Sequence, residues 1–182
     1  MNNPFREINC FLLAGGKRNR TEDFQPQGEL TRLESGYRRY AQLFEKVTLV
    51  LKEDQAREQY LNYPHVCDSQ PGWNAVYGIE AALRNSDSET VFIGSSDITE
   101  FPLELVVMLV KNYQGEPFLG FSAPEGAARQ CQPLFGIYNR KLVRKLEEGV
   151  ADDAAQLYRV LEAEGRLIPL PESASPEKLG LR

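Results

Sequence analysis

The chain has 182 residues, 42% of them apolar, enough to bury one sizeable core, so a single domain over 1–182 is expected. A formal charge of −5, from 26 acidic and 21 basic residues, argues against a general nucleic-acid binder. Cys10, Cys67 and Cys131 are too far apart in sequence to suggest a disulfide framework or a zinc site, and no apolar run is long enough to span a bilayer, so a reducing cytoplasm fits best.

In chain order, Met1 to Glu7 lacks the charged-then-apolar order of a signal peptide. Cys10 to Ala14 then reads as a buried strand that stops at Gly15-Gly16. Paired glycines let the backbone turn sharply and bring N–H groups close to a ligand. Lys17, Arg18 and Arg20 follow at once, and consecutive amides beside cations make a receptor for polyphosphate. Taken alone, the stretch also reads as an ordinary turn with solvated cations; neither a Walker loop nor Gly-x-Gly-x-x-Gly is present. Arg32, Arg38 and Arg39 extend this basic cluster, which on an acidic chain suits a small anionic ligand.

Thr21 to Ser35 is polar and aperiodic and is expected to be a long loop. Tyr37 to Glu45 has helical spacing, Val47 to Leu51 reads as a second strand, and Glu53 to Leu61 as a surface helix. His65 to Cys67 makes a third strand ending at Asp68, and Gln70-Pro71-Gly72 turns into a helix from about Asn74 to Leu83, capped by Asn74. Thr90 to Ile93 is a fourth strand followed by Gly94-Ser95-Ser96-Asp97, and Pro102 opens a helix with Leu105, Val106, Leu109 and Val110 inward. Pro117 to Phe121 and Leu134 to Tyr138 read as strands, with Ala123 to Arg129 a loop between them. Asn139 to Leu146 and Ala151 to Ala163 are helical, Leu167-Ile168 is a short strand, and the tail from about residue 171 is expected to be partly mobile.

Strands alternating with helices, without an obvious two-residue hairpin, predict an α/β fold with a mostly parallel sheet covered on both faces. Ligands of such sheets sit beyond the carboxyl ends of the strands. Gly15-Gly16, Asp68 and Asp97 therefore belong to one rim. Residue by residue, Asp97 also reads as a loop or capping aspartate, Asp68 as a turn residue and Arg20 as a surface cation. His65 is given no catalytic role, while Trp73 and Tyr77 stand where they would line a pocket or simply pack.

Leu13-Ala14-Gly15-Gly16 with Arg20, Asp68 before Gly72, Ser96-Asp97 with Phe101-Pro102, and Gln132-Pro133-Leu134-Phe135 together resemble the molybdenum cofactor guanylyltransferases, over nearly the whole chain. The resemblance implies a Rossmann-like three-layer α/β/α sandwich of the nucleotide-diphospho-sugar transferase type. It implies an enzyme that binds GTP and Mg²⁺, joins GMP to the terminal phosphate of molybdopterin and releases pyrophosphate. By it Leu13, Ala14, Gly15 and Gly16 would hold the nucleotide with Lys17 and Arg18, Asp68 would contact it, and Asp97 would carry the metal. Asp97 and Arg20 would serve the catalytic step, and Gln132-Pro133-Leu134 would face the pterin. Other molybdenum cofactor proteins or molybdoenzymes are implied as partners. The chain departs from the family in the Thr21 to Leu30 region, where no lysine follows an aspartate, and near the C-terminus, where Glu172-Ser173-Ala174-Ser175-Pro176-Glu177 lacks both family asparagines. At Val50, a polar residue expected after the second strand is missing, and Asn74-Ala75-Val76-Tyr77-Gly78 replaces Gly-Pro-Leu-x-Gly. Beside the enzyme, these departures leave open a binding protein that has lost catalysis, or a transferase using another nucleotide.

Overall fold

The computed structural model describes residues 4–14, 26–27, 30–53, 62–68, 70, 72, 74–98, 100–124, 130–149 and 154–181. Its centre is β1 (Ile8–Leu13), buried along its whole length. On one side it pairs in parallel with β4 (Val47–Lys52), which pairs in parallel with β5 (His65–Asp68). On the other side it pairs in parallel with β6 (Thr90–Ser95). The sheet continues through β8 (Cys131–Asn139), β7 (Phe118–Ser122) and β9 (Arg166–Pro169), giving a 7-stranded order β5-β4-β1-β6-β8-β7-β9. β8 runs antiparallel to both its neighbours, and β7 and β9 pair in parallel. The sheet is thus mostly parallel, as the alternation of elements predicts, with one reversed strand that the residue pattern did not disclose.

Strand side chains alternate faces, and the core divides accordingly. Cys10, Leu12, Leu49, Leu51 and Phe92 point to the face covered by α1 (Arg32–Tyr40) and α3 (Leu103–Asn112), through Leu33, Tyr40, Leu105 and Leu109. Phe11, Leu13, Val50, Val91 and Ile93 point to the other face, covered by α2 (Ala75–Asn85), α4 (Val143–Gly149) and α5 (Ala154–Glu164), through Val76, Ile79, Leu146, Leu157 and Leu161. Two helical layers on one sheet make the expected α/β/α sandwich.

Several expectations are corrected. Within the presumed loop Thr21 to Ser35, β2 (Pro26–Gln27) pairs antiparallel with β3 (Leu30–Thr31), and α1 begins at Arg32, ending at Tyr40 instead of spanning Tyr37 to Glu45. The cause is a capping box: the Glu34 amide donates to Thr31 Oγ1 at 3.2 Å, and the Thr31 amide donates to Glu34 Oε2 at 2.8 Å. Most of the expected Glu53 to Leu61 helix, and Glu125 to Arg129 of the loop before β8, lie outside the described residues. In the C-terminal stretch Ala174, Leu179 and Leu181 are buried in the α1–α3 side of the core, and Gln132 Nε2 donates to the Leu179 carbonyl at 2.8 Å.

Candidate active site

Because β1, β4, β5 and β6 are mutually parallel, their carboxyl ends share one rim. Leu13, Ala14, Lys52, Asp68 and Asp97 open there onto a cavity of about 120 Å³, with Asn74, Ala75 and Gly78 of the α2 start on its wall. Gly78 lets α2 lie against β1, since a Cβ there would stand 2.7 Å from Leu13 Cδ2. The rim is closed by backbone pairing: the Ser96 amide donates to the Leu13 carbonyl at 2.9 Å, and the Ala14 amide donates to the Val50 carbonyl at 3.0 Å. Leu13 C=O and Ala14 N–H therefore already serve the sheet, and both residues also line the cavity.

Asp97 sits in a turn set by Ser95, whose carbonyl accepts from the Ile98 amide at 3.0 Å and whose hydroxyl accepts from the Asp97 amide at 3.3 Å. Its carboxylate is 40% exposed, and Arg32 Nη1, from the first residue of α1, lies 3.9 Å from Asp97 Oδ1. Asp68 has a different setting. Only 7% exposed, its Oδ2 is 2.7 Å from Lys52 Nζ, and its Oδ1 accepts from the Gln70 amide at 3.0 Å. Lys52 Nζ also donates to the Gln70 carbonyl at 2.8 Å and stands 5.6 Å from the centre of the Tyr77 ring. This closed unit of β4 end, β5 end and turn holds one buried charge pair at one end of the cleft.

Of the residues expected at the site, Leu13, Ala14, Asp68 and Asp97 come together on one cavity. Gly15, Gly16, Lys17, Arg18 and Arg20, like Trp73, lie outside the described residues. Leu134 lines the cavity, but the side chain of Gln132 is engaged in structure: besides its bond to Leu179, its Oε1 accepts from the Leu134 amide at 3.1 Å. His65 Nδ1 lies 3.0 Å from the Tyr63 carbonyl, a local contact. The position of the missing polar residue is corrected: Val50 lies inside β4 with its side chain in the core, and the strand runs on to Lys52, which registers with Asp68. Lys52 is the site residue that sequence reasoning missed, its signal a lysine directly after an apolar run, whereas Arg32 was read only as one member of the basic cluster and not as a neighbour of Asp97.

Among the described residues no three His, Cys, Asp or Glu side chains gather as a metal cluster. Among the described residues, with Asp68 paired to Lys52, Asp97 is the rim carboxylate that could meet a divalent cation. That donor set fits Mg²⁺, which is commonly held by one or two carboxylates with substrate phosphates and water. Among the described residues no helix is long and apolar enough to cross a membrane.

Known proteins resemble this chain in sequence and in fold. The chain is 28% identical over 170 residues to a protein of Aquifex aeolicus named probable molybdenum cofactor guanylyltransferase, covering 90% of this chain and 80% of that one. It is 29% identical over 146 residues to a protein of the same name from Carboxydothermus hydrogenoformans, covering 79% and 71%. The solved structure of molybdopterin-guanine dinucleotide biosynthesis protein A from Archaeoglobus fulgidus superposes with a TM-score of 0.69 at 16% identity, covering 88% of this chain and 83% of that one. The model of the MobA-like NTP transferase domain matches residues 10–167, a span that takes in β1 from Cys10 onward and all the rim residues named above. Fold and sequence thus converge, and the chain belongs to the MobA-like NTP transferase family as a divergent member.

Proposed function

We propose that the chain is a nucleotidyltransferase that takes GTP in the rim cleft, transfers GMP to the terminal phosphate of molybdopterin and releases pyrophosphate. One observation carries this reading: Ala14, Asp68 and Asp97, from three strand ends, line one cavity. In the transfer, an oxygen of the acceptor phosphate bonds to the α-phosphorus. The bond from that phosphorus to the oxygen bridging to the β-phosphate breaks, and pyrophosphate leaves with the electron pair. Such a reaction asks for positioning and charge neutralisation, not a protein nucleophile. Asp97 would hold Mg²⁺, which when bound neutralises phosphate charge. Arg32 adds a cation at the same end, and Gly15, Gly16, Lys17, Arg18 and Arg20 remain the proposed phosphate cradle. The N-terminus of α2, capped by Asn74 and opening on the cleft wall, adds a favourable dipole for bound anion.

The test is pyrophosphate release from GTP by the purified protein with Mg²⁺ and molybdopterin. Release that requires all three supports the reading; none with GTP, ATP or CTP contradicts it. A second reading, a nucleotide- or pterin-binding partner in molybdoenzyme maturation without catalysis, is favoured by the engagement of Asp68 with Lys52 and the approach of Arg32 to Asp97. It predicts nucleotide binding without turnover.

A further inference from the structure

Where β8 reaches the rim, its pairing is interrupted. Its register with β6 runs as far as Gly94 and Phe135, and its register with β7 passes from Gly120 and Gly136 to Ser122 and Cys131. Phe121 alone therefore stands against the stretch from Gln132 to Phe135, a bulge in which Pro133 has no amide to give to a ladder. Side chains replace the missing rungs. The Leu134 amide donates to Gln132 Oε1 at 3.1 Å, and the buried Tyr138 hydroxyl donates to the Pro133 carbonyl at 2.7 Å. Leu134, inside this bulge, is on the wall of the rim cleft. Because β8 is antiparallel to β6, that wall adjoins the end of β6 that leads to Asp97. The nitrogen of the same Gln132 amide reaches the C-terminal turn, where Nε2 donates to the Leu179 carbonyl at 2.8 Å. That turn (Glu177–Leu179) ends at Gly180, whose φ is +70°, and it is closed by the Leu181 amide donating to the Pro176 carbonyl at 2.9 Å. Leu179 and Leu181 anchor it in the core. Gly180 lies against Gln132, since a Cβ there would stand 2.6 Å from Nε2.

We infer that Gln132 is a positioning residue for the transfer: its amide couples the C-terminal turn to the bulge at Leu134 and so fixes the cleft wall beside Asp97. The inference rests on the cleft being the site of nucleotidyl transfer. In that reaction the acceptor oxygen must come into line with the α-phosphorus, opposite the departing pyrophosphate, and a misplacement of about 1 Å costs about 100-fold in rate. A bulge without ladder bonds yields when its side-chain lock is removed, whereas the parallel pairing of β1, β4 and β5 is continuous and does not depend on Gln132. Loss of the lock should therefore lower turnover and leave nucleotide affinity in place. The exposed pair of Lys178 and Glu100, 3.0 Å apart, joins the same turn to the loop after Asp97 but adds little. Gln132, half-buried and bonded at both ends of its amide to backbone groups, is the link that reaches the cleft wall.

The experiment measures pyrophosphate release with GTP, Mg²⁺ and molybdopterin, and GTP affinity by calorimetry, on the full chain. It compares wild type with Gln132→Leu, Gly180→Ala, the double variant and Gly115→Ala. Gly115 is the control for backbone strain: its φ is +95°, and among the described residues nothing lies within 4 Å of where its Cβ would sit. Gln132→Leu and Gly180→Ala should each lower kcat by about 10- to 100-fold. GTP affinity in both should stay within about threefold of wild type, and the double variant should lose no more than the worse single one, as expected of two changes on one contact. Gly115→Ala should keep kcat within about twofold. Wild-type kcat in folded Gln132→Leu, losses that multiply in the double variant, an equal loss in Gly115→Ala, or a fall in GTP affinity as large as that in kcat would overturn the role of Gln132 while leaving the proposed transfer standing. If Gln132→Leu fails to fold, the difference between Gly180→Ala and Gly115→Ala decides. No pyrophosphate release by folded wild type would overturn both.

Discussion

The two ends of the cleft are built from the same chemistry and differ in everything else. At one end Lys52 and Asp68, 14% and 7% exposed, are in contact and share the Gln70 turn. At the other, Arg32 and Asp97, 22% and 40% exposed, approach to 3.9 Å. Breaking a buried pair strands a charge in a poor solvent, whereas an exposed pair contributes little to stability. The first pair therefore serves as a structural clasp between β4 and β5. The second is more open to water, and under the proposed function its value would lie in chemistry instead of stability.

That contrast is open to measurement. Lys52→Met should lower unfolding free energy by about 3 kcal/mol, reduced from the fully buried case because the pair adjoins the cleft, and Lys52→Met with Asp68→Leu should recover most of the loss. Urea unfolding of the single and double variants checks this; a single variant as stable as wild type would make the two ends equivalent. Asp97→Asn should cut turnover about 100-fold, the scale of losing one charge-stabilising group, while changing stability by less than about 1 kcal/mol. Pyrophosphate release and unfolding on one sample separate the two effects.

A third variant acts below the rim. Gly94, next to Ser95, has the Tyr40 hydroxyl 2.5 Å from where a Cβ would sit, and Tyr40 is fully buried. Gly94→Ala should cost about 1–3 kcal/mol by overpacking, read as a lower urea midpoint. An unchanged midpoint would show that the Tyr40 ring gives way without cost. The smallest effect belongs to Arg32→Gln: a stability change below about 1 kcal/mol, detectable mainly as weaker binding of the triphosphate relative to the nucleoside in paired titrations.

Much of this molecule can be read from its residues, for physical reasons that also explain what cannot. The strands at Cys10, Val47 and Thr90 are short apolar runs bounded by turn residues, and alternating elements imply a shared rim, so Asp68 and Asp97 could be placed on one edge. Strand direction leaves no such local mark, which is why β8 was not seen to reverse. Lys52 was lost because a charged residue after an apolar run reads as the chain leaving the core, although its partner 16 residues on keeps it in the sheet. The start of α1 was lost because Thr31 and Glu34 sit in a polar stretch, where only their reciprocal bonds reveal a cap. Both misses involve polar side chains whose partners are set by the fold or by turn geometry.

The most direct test is a crystal structure of the chain with a non-hydrolysable GTP analogue and Mg²⁺. The nucleotide should lie in the rim cleft with its phosphates toward Ala14, Arg32 and Asp97. A nucleotide bound away from this rim, or with its phosphates on the Lys52–Asp68 pair, would contradict the proposed function.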